Sequence, residues 1–153
     1  QSAMKIFRGC FVLIFVLFLS SIPALTADRS LERQPPLPQE HVRKLKRIAA
    51  FIADELQRRS VKSVTVEDFT DFYKRPSATG TRMAREFLRQ LAVAGDKNFM
   101  VVETGAEAIV AGTLVPFKDG RKWKLDIKVV SADKGKIITA YTGIIKKAKT
   151  AKK

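Results

Sequence analysis

Residues 108–145 read AIVAGTLVPFKDGRKWKLDIKVVSADKGKIITAYTGII, and runs of Val, Ile, Leu, Thr, Trp and Tyr are broken at Asp119-Gly120 and again at Asp133-Lys134-Gly135. That pattern predicts three strands joined by two tight turns, a β-meander. In the middle strand Trp123, Leu125, Ile127 and Val129 alternate with Lys122, Lys124, Asp126 and Lys128, so one face meets a core and the other meets water. A one-sided sheet needs a cover. Two earlier stretches provide it. Val42, Leu45, Ala49, Ile52 and Leu56 step by three and four, widened by Ile48 and Ala53. A second helix, expected over residues 79–94, carries Met83, Ala84, Phe87, Leu88 and Leu91 on its apolar face, with Gly95 as its C-cap. Residues 61–69, where Val64 and Val66 alternate with Ser63 and Thr65, and residues 99–103 read as short strands. The order helix, strand, helix, strand and three further strands predicts an α+β domain, a mixed sheet ending in a C-terminal antiparallel meander and covered by two amphipathic helices.

The ends of the chain follow other rules. Lys5 and Arg8 precede an unbroken apolar run over residues 11–19, then Ser20, Ser21, Pro23 and small residues up to Ala27. This reads as a secretory signal peptide over residues 4–27, beginning at Met4, with Gln1, Ser2 and Ala3 ahead of the initiator. The run is shorter than the roughly 20 residues of a spanning helix, so no permanent membrane span is expected after cleavage. Cys10, the one cysteine, precedes the apolar run, whereas lipid attachment needs a cysteine just after it. The processed chain is therefore expected to be unlipidated and free of cysteine, which excludes thiol catalysis, disulfides and Cys-ligated zinc. Residues 28–39, with Pro35, Pro36 and Pro38, read as an extended tether. The domain is expected over residues 40–145, and KKAKTAKK at 146–153 reads as a disordered basic tail.

Charge narrows the choice of partner. The formal net charge is +14; removing residues 1–27 takes away Lys5 and Arg8 and no acid, leaving +12. On an exported protein such a charge points to lipopolysaccharide, anionic head groups or wall polymers rather than nucleic acid, or else serves solubility alone. Arg43, Lys44, Lys46 and Arg47 cluster in the first turns of the first helix, where the helix dipole disfavours cations. They are either a solvated face or a contact for an anionic surface.

Catalytic chemistry finds little to work with. His41, the only histidine, stands at the polar start of the first helix without a nucleophile partner and reads as a surface residue. Glu67, Asp68 and Asp71 form the only acidic cluster, but on a strand at most Asp68 and Asp71 converge, and they read as a strand end and loop cap. Arg75, Ser77, Thr79, Gly80 and Arg82 flank the start of the second helix at a spacing that matches no phosphate-binding motif; ordinary N-capping or a weak anion site are the two readings. Trp123 and Phe87 fall in step with core positions. No catalytic residue, metal site or cofactor is expected.

Specific stretches carry a family resemblance. Residues 64–69 end in an acidic turn, Thr79-Gly80-Thr81-Arg82-Met83-Ala84-Arg85-Glu86-Phe87 opens a helix, and Phe99-Met100-Val101-Val102-Glu103 follows. Above all, Ala108-Ile109-Val110-Ala111-Gly112-Thr113-Leu114-Val115 precedes an alternating strand and Asp133-Lys134-Gly135-Lys136-Ile137-Ile138. Together they resemble FlgO-type proteins, flagellar-associated proteins of the Gram-negative outer membrane. The pattern is similar, more loosely, to the CsgG-type curli secretion proteins, the lipoprotein activators of penicillin-binding proteins and the N-terminal domain of TolB. It spans residues 41–145.

The resemblance implies a non-enzymatic, periplasmic, outer-membrane-associated protein with an α+β fold, which helps to assemble or stabilise a surface structure. Its partner would be another envelope protein; the charge pattern, rather than the resemblance, offers Arg43, Lys44, Lys46 and Arg47 and the outward Lys122, Lys124 and Lys128 as the contacts. The alternative is a basic periplasmic protein that binds anionic polymers such as lipopolysaccharide or wall polymer. Two departures from the family stand out. Only residues 104–107 separate the fourth element from the AGTLV strand, where relatives place a longer segment, often with a helix. The cysteine for lipidation is missing as well.

Overall fold

The computed structural model describes residues 35–149; the signal peptide expected over 4–27, most of the tether expected over 28–39 and residues 150–153 of the tail lie outside the described residues. Among the described residues seven elements follow in order: α1 (Gln39–Arg58), β1 (Ser63–Val66), α2 (Ala78–Gly95), β2 (Met100–Val101), β3 (Ala108–Pro116), β4 (Lys122–Ser131) and β5 (Ile137–Lys146). One five-stranded sheet holds them in the order β2-β1-β3-β4-β5, so the expected α+β fold is the observed one. β1 runs parallel to both β2 and β3, with α2 as the crossover, and β3, β4 and β5 form the antiparallel meander.

Each element follows from local chemistry. α1 begins after Pro38, whose fixed φ suits a helix start, and Glu40 offsets the dipole in the first turn. α2 is capped by Ser77, whose Oγ accepts the Gly80 N–H at 3.0 Å. The expected glycine cap at its other end is corrected: Gly95 stays inside the helix, and Asp96 takes the positive φ of 43°. Gly95 is needed for a close approach, because a Cβ there would lie 2.6 Å from Phe99 Cε2. Leu88 is also corrected; it lies at the rim of the apolar stripe and is exposed, while Met83, Ala84, Phe87 and Leu91 are buried.

Strand alternation places Ala108, Val110, Gly112 and Leu114 of β3 and Leu125, Ile127 and Val129 of β4 on the buried face with both helices. β1 ends earlier than expected, at Val66, yet the chain rejoins β3 farther on. Thr70 N–H donates to the Gly112 carbonyl at 3.0 Å, and Leu114 N–H donates to the Thr70 carbonyl at 2.8 Å. That rejoining swings Phe69 into the core, where its ring lies 5.9 Å from Phe87. The short link before β3 is pinned by Glu107, whose carboxylate accepts the Lys62 N–H at 2.9 Å while its own N–H donates to Ser63 Oγ at 3.0 Å. Among the described residues no helix covers the opposite face of the meander.

Candidate functional site

The first turns of α1 lie beside the end of β5, and a residue expected at the surface holds them there. His41 is buried, so the surface reading is corrected: its Nε2 lies 2.5 Å from the Lys146 carbonyl oxygen and its ring meets Trp123 edge-on, with centroids 6.2 Å apart. Its position was visible in the pattern, since 41 stands four residues before Leu45 and continues the apolar stripe backwards. Farther along, Phe51 packs against Tyr141 of β5, centroids 6.1 Å apart, and Lys44 Nζ sits 5.9 Å from the centre of the Tyr141 ring.

These contacts leave a groove of about 560 Å³ between α1 and the ends of β4 and β5, lined by Arg43, Lys44, Arg47, Lys122 and Lys146 with Glu40 as its one acid. Five cations around a single carboxylate make a site of positive potential that attracts anionic groups. Of the residues expected to contact a partner, Arg43, Lys44, Arg47 and Lys122 are brought together here. Lys46 is exposed on α1 but does not line the groove. Lys124 and Lys128 share the outward face of β4 with Lys122 but lie farther along the strand and do not line the groove: Lys124 Nζ lies 3.4 Å from Asp126, and Lys128 borders a separate hollow with Phe72 and Lys74. The expectation that Lys146 begins the tail is corrected: it is the last residue of β5 and faces Lys122 across the ladder. The chain stays attached one residue further: Lys147 N–H donates to the Arg121 carbonyl at 2.8 Å and its Nζ lies over the Trp123 ring at 5.2 Å.

The other candidates resolve into structural parts. Asp71 organises its loop, accepting the backbone N–H groups of Tyr73 and Arg75 and the Arg75 guanidinium at 2.8 Å. The hydrogen bond from the Arg75 backbone, above the opposing effect of burial and with help from the Arg75 charge, holds its carboxyl below the usual aspartate value. Asp68 accepts the Thr81 hydroxyl at 3.0 Å, so the acidic residues do cap and close the loop. At the start of α2, Gly80 packs onto the Phe69 carbonyl and Ser77 caps, which is the N-capping reading. Phe87 is fully buried, as expected, whereas Trp123 is half-buried at the edge of the core. Among the described residues no group of three or more His, Cys, Asp or Glu could hold a metal ion, and no helix is long and apolar enough to cross a membrane.

No protein-family model matches the chain, and no curated protein matches it in sequence. Solved structures match it in fold. The C-terminal domain of LpoB from Escherichia coli aligns with a TM-score of 0.51 at 10% identity, covering 68% of this chain and 99% of that domain. The NMR structure of E. coli LpoB aligns with a TM-score of 0.51 at 12% identity, covering 82% of this chain and 78% of the other. The LpoB C-terminal domain from Salmonella enterica aligns with a TM-score of 0.47 at 12% identity, covering 67% of this chain and 96% of that one. At these identities the likeness is one of fold.

Proposed function

We propose that the chain is a non-enzymatic accessory domain of the Gram-negative cell envelope, exported, unlipidated and periplasmic, which works by docking on another envelope protein through the groove between α1 and β5. The observation that carries this reading is the groove itself, where cations from the two ends of the folded chain converge around one acid. The sequence resemblance to FlgO-type proteins and the fold shared with LpoB support the envelope setting. A role beside the flagellum is the finer form of the proposal and rests on the FlgO-type resemblance alone.

Crosslinking the folded chain in Gram-negative envelope extract, in parallel with the Arg43→Glu, Arg47→Glu double variant, tests the reading. One dominant protein partner, captured by the parent and lost in the variant, is the expected result. Capture of no partner, or equal capture by both chains, would overturn it.

A second reading has its own observation. The basic surface continues past the groove into a hollow of about 830 Å³ lined by Arg121, Lys122, Lys146, Lys147 and Lys149, with Asp119 as its acid. A surface of that extent suits an anionic polymer such as lipopolysaccharide or wall polymer. Affinity for such a polymer should fall steeply with added salt and on deletion of residues 147–153; affinity that stays flat from low to physiological salt would remove this reading.

A further inference from the structure

β5 is the last strand of the sheet, so among the described residues one of its edges has no neighbouring strand. Its ten residues, IITAYTGIIK, contain no proline and no charge before the final lysine. Edge strands ordinarily carry such features to discourage pairing with other chains. In an antiparallel ladder alternate residues bond to the neighbour and the residues between them turn their N–H and C=O groups away. The bond from Lys147 N–H to the Arg121 carbonyl, together with the register Trp123↔Ile145, Leu125↔Gly143 and Ile127↔Tyr141, sets the phase. Ala140, Thr142, Ile144 and Lys146 therefore present their backbone groups to the open edge. His41 takes the Lys146 carbonyl, and among the described residues the outward groups of Ala140, Thr142 and Ile144 have no partner.

This open edge runs into the basic groove, since Ile144 and Lys146 line it together with Arg43, Lys44 and Arg47. We infer that β5 receives an extended acidic segment of the partner protein as a sixth strand. The added backbone pairs with Ala140, Thr142 and Ile144, and the carboxylates on every second residue, turned toward α1, meet Arg43, Lys44 and Arg47. The inference deepens the docking reading above and rests on it. Two observations select this occupant over others. A polysaccharide matches the cations but cannot meet N–H and C=O groups at strand spacing. A second copy of this chain supplies a strand but sets cationic grooves of like sign beside each other, which opposes pairing.

Fluorescence anisotropy on the full chain provides the test, with capped peptides of about eight residues alternating glutamate with valine and threonine. The glutamate peptide is expected to bind at low salt, and its glutamine counterpart about tenfold more weakly or worse. Methylating backbone nitrogens along one edge of the peptide should abolish binding, while methylating the other edge leaves it unchanged; this comparison leaves the protein untouched. Arg43→Glu with Arg47→Glu should weaken the glutamate peptide about tenfold with an unchanged far-ultraviolet spectrum. Equal binding of both methylated peptides would overturn strand addition in favour of charge alone. Saturation of the groove by lipopolysaccharide with no peptide binding would overturn it in favour of a polymer site, and a dimer in sedimentation that excludes the peptide would overturn it in favour of self-pairing. If the peptide fails but an envelope partner is still captured by the parent and lost in the arginine variant, strand addition falls while the docking groove stands.

Discussion

Replacing Gly112 by alanine puts a methyl group where the Phe69 ring already sits. A Cβ at that position would come within 2.7 Å of Phe69 Cγ and Cε1, and closer still to Cδ1. Ordinary contact begins near 3.4 Å, so the ring would have to retreat by roughly 1 Å. It has nowhere to go. The ring is fully buried and packed on Phe87, and the Phe69 carbonyl on its other side lies against Gly80. Either χ1 of Phe69 leaves its rotamer, at about 1 kcal/mol, or β3 shifts against the segment at Thr70, with the two hydrogen bonds that hold them together. Overpacking in cores costs about 1–3 kcal/mol, and a site closed on both sides belongs at the upper end, about 3 kcal/mol. For a domain of this size that lowers Tm by about 10–15 °C, which a thermal melt followed by circular dichroism resolves, with urea unfolding as a second measure.

A second substitution separates this cause from a general loss. Phe69→Leu alone leaves a smaller side chain in the same space and costs about 1–3 kcal/mol. If ring and methyl collide, the double variant recovers at least about 1 kcal/mol relative to the sum of the single changes. A Gly112→Ala protein that melts within 2 °C of the parent would refute the argument. So would a double variant whose stability is the sum of its parts to within about 0.5 kcal/mol.

His41→Ala removes the bond to the Lys146 carbonyl and the contact with Trp123, and should cost about 2 kcal/mol in urea unfolding, with faster amide exchange confined to the end of β5. Asp71→Asn should loosen the 71–75 loop in a pH-dependent way: because the folded carboxyl titrates below its ordinary value, its contribution is present above the unfolded aspartate pKa and is lost as pH falls through the folded one. Parent and variant should thus differ in loop protection at neutral pH and converge in acid, as read by NMR of the Tyr73 and Arg75 amides. Charge reversal at Lys124 or Lys128, which lie farther along β4 and outside the groove, should leave partner capture unchanged, whereas reversal at Lys122 should reduce it several-fold in the same crosslinking assay.

The parts of the fold visible in the sequence are those where a period repeats often enough to be recognised. The nine-residue β3 with four buried positions in step, the ten-residue β4 with three, and helices with five or more are placed to within a few residues by their pattern. β1 and β2 are shorter than their sequence pattern suggests, because short runs of Val and Phe do not distinguish a strand from a loop that re-enters the core, which is what brings Phe69 inside. Gly95 reads as a cap in the sequence because glycine after an apolar stripe usually is one; only the position of Phe99, set by tertiary packing, shows that it serves close approach. For the site, the basic half of α1 was legible as a cluster. Its meeting with Lys122 and Lys146 was not, because no local rule reports which helix face lies along which strand edge. Strand period groups Lys124 and Lys128 with Lys122, and all three do share one face of β4, but only Lys122 stands at the strand end that borders the groove.

The contact between His41 and Lys146 joins residues 105 apart in the chain. Closing a loop of that length costs about 4 kcal/mol of chain entropy before any contact repays it, so it is expected late in folding, after the α1–α2 pair and the hairpins of the meander. A chain halted before β5 would keep its long amphipathic helix but leave Phe51 without Tyr141 and the first turns of α1 without their anchor. The groove comes into existence only with the last strand. Any partner that recognises it therefore recognises a finished molecule, and passes over every intermediate that precedes it.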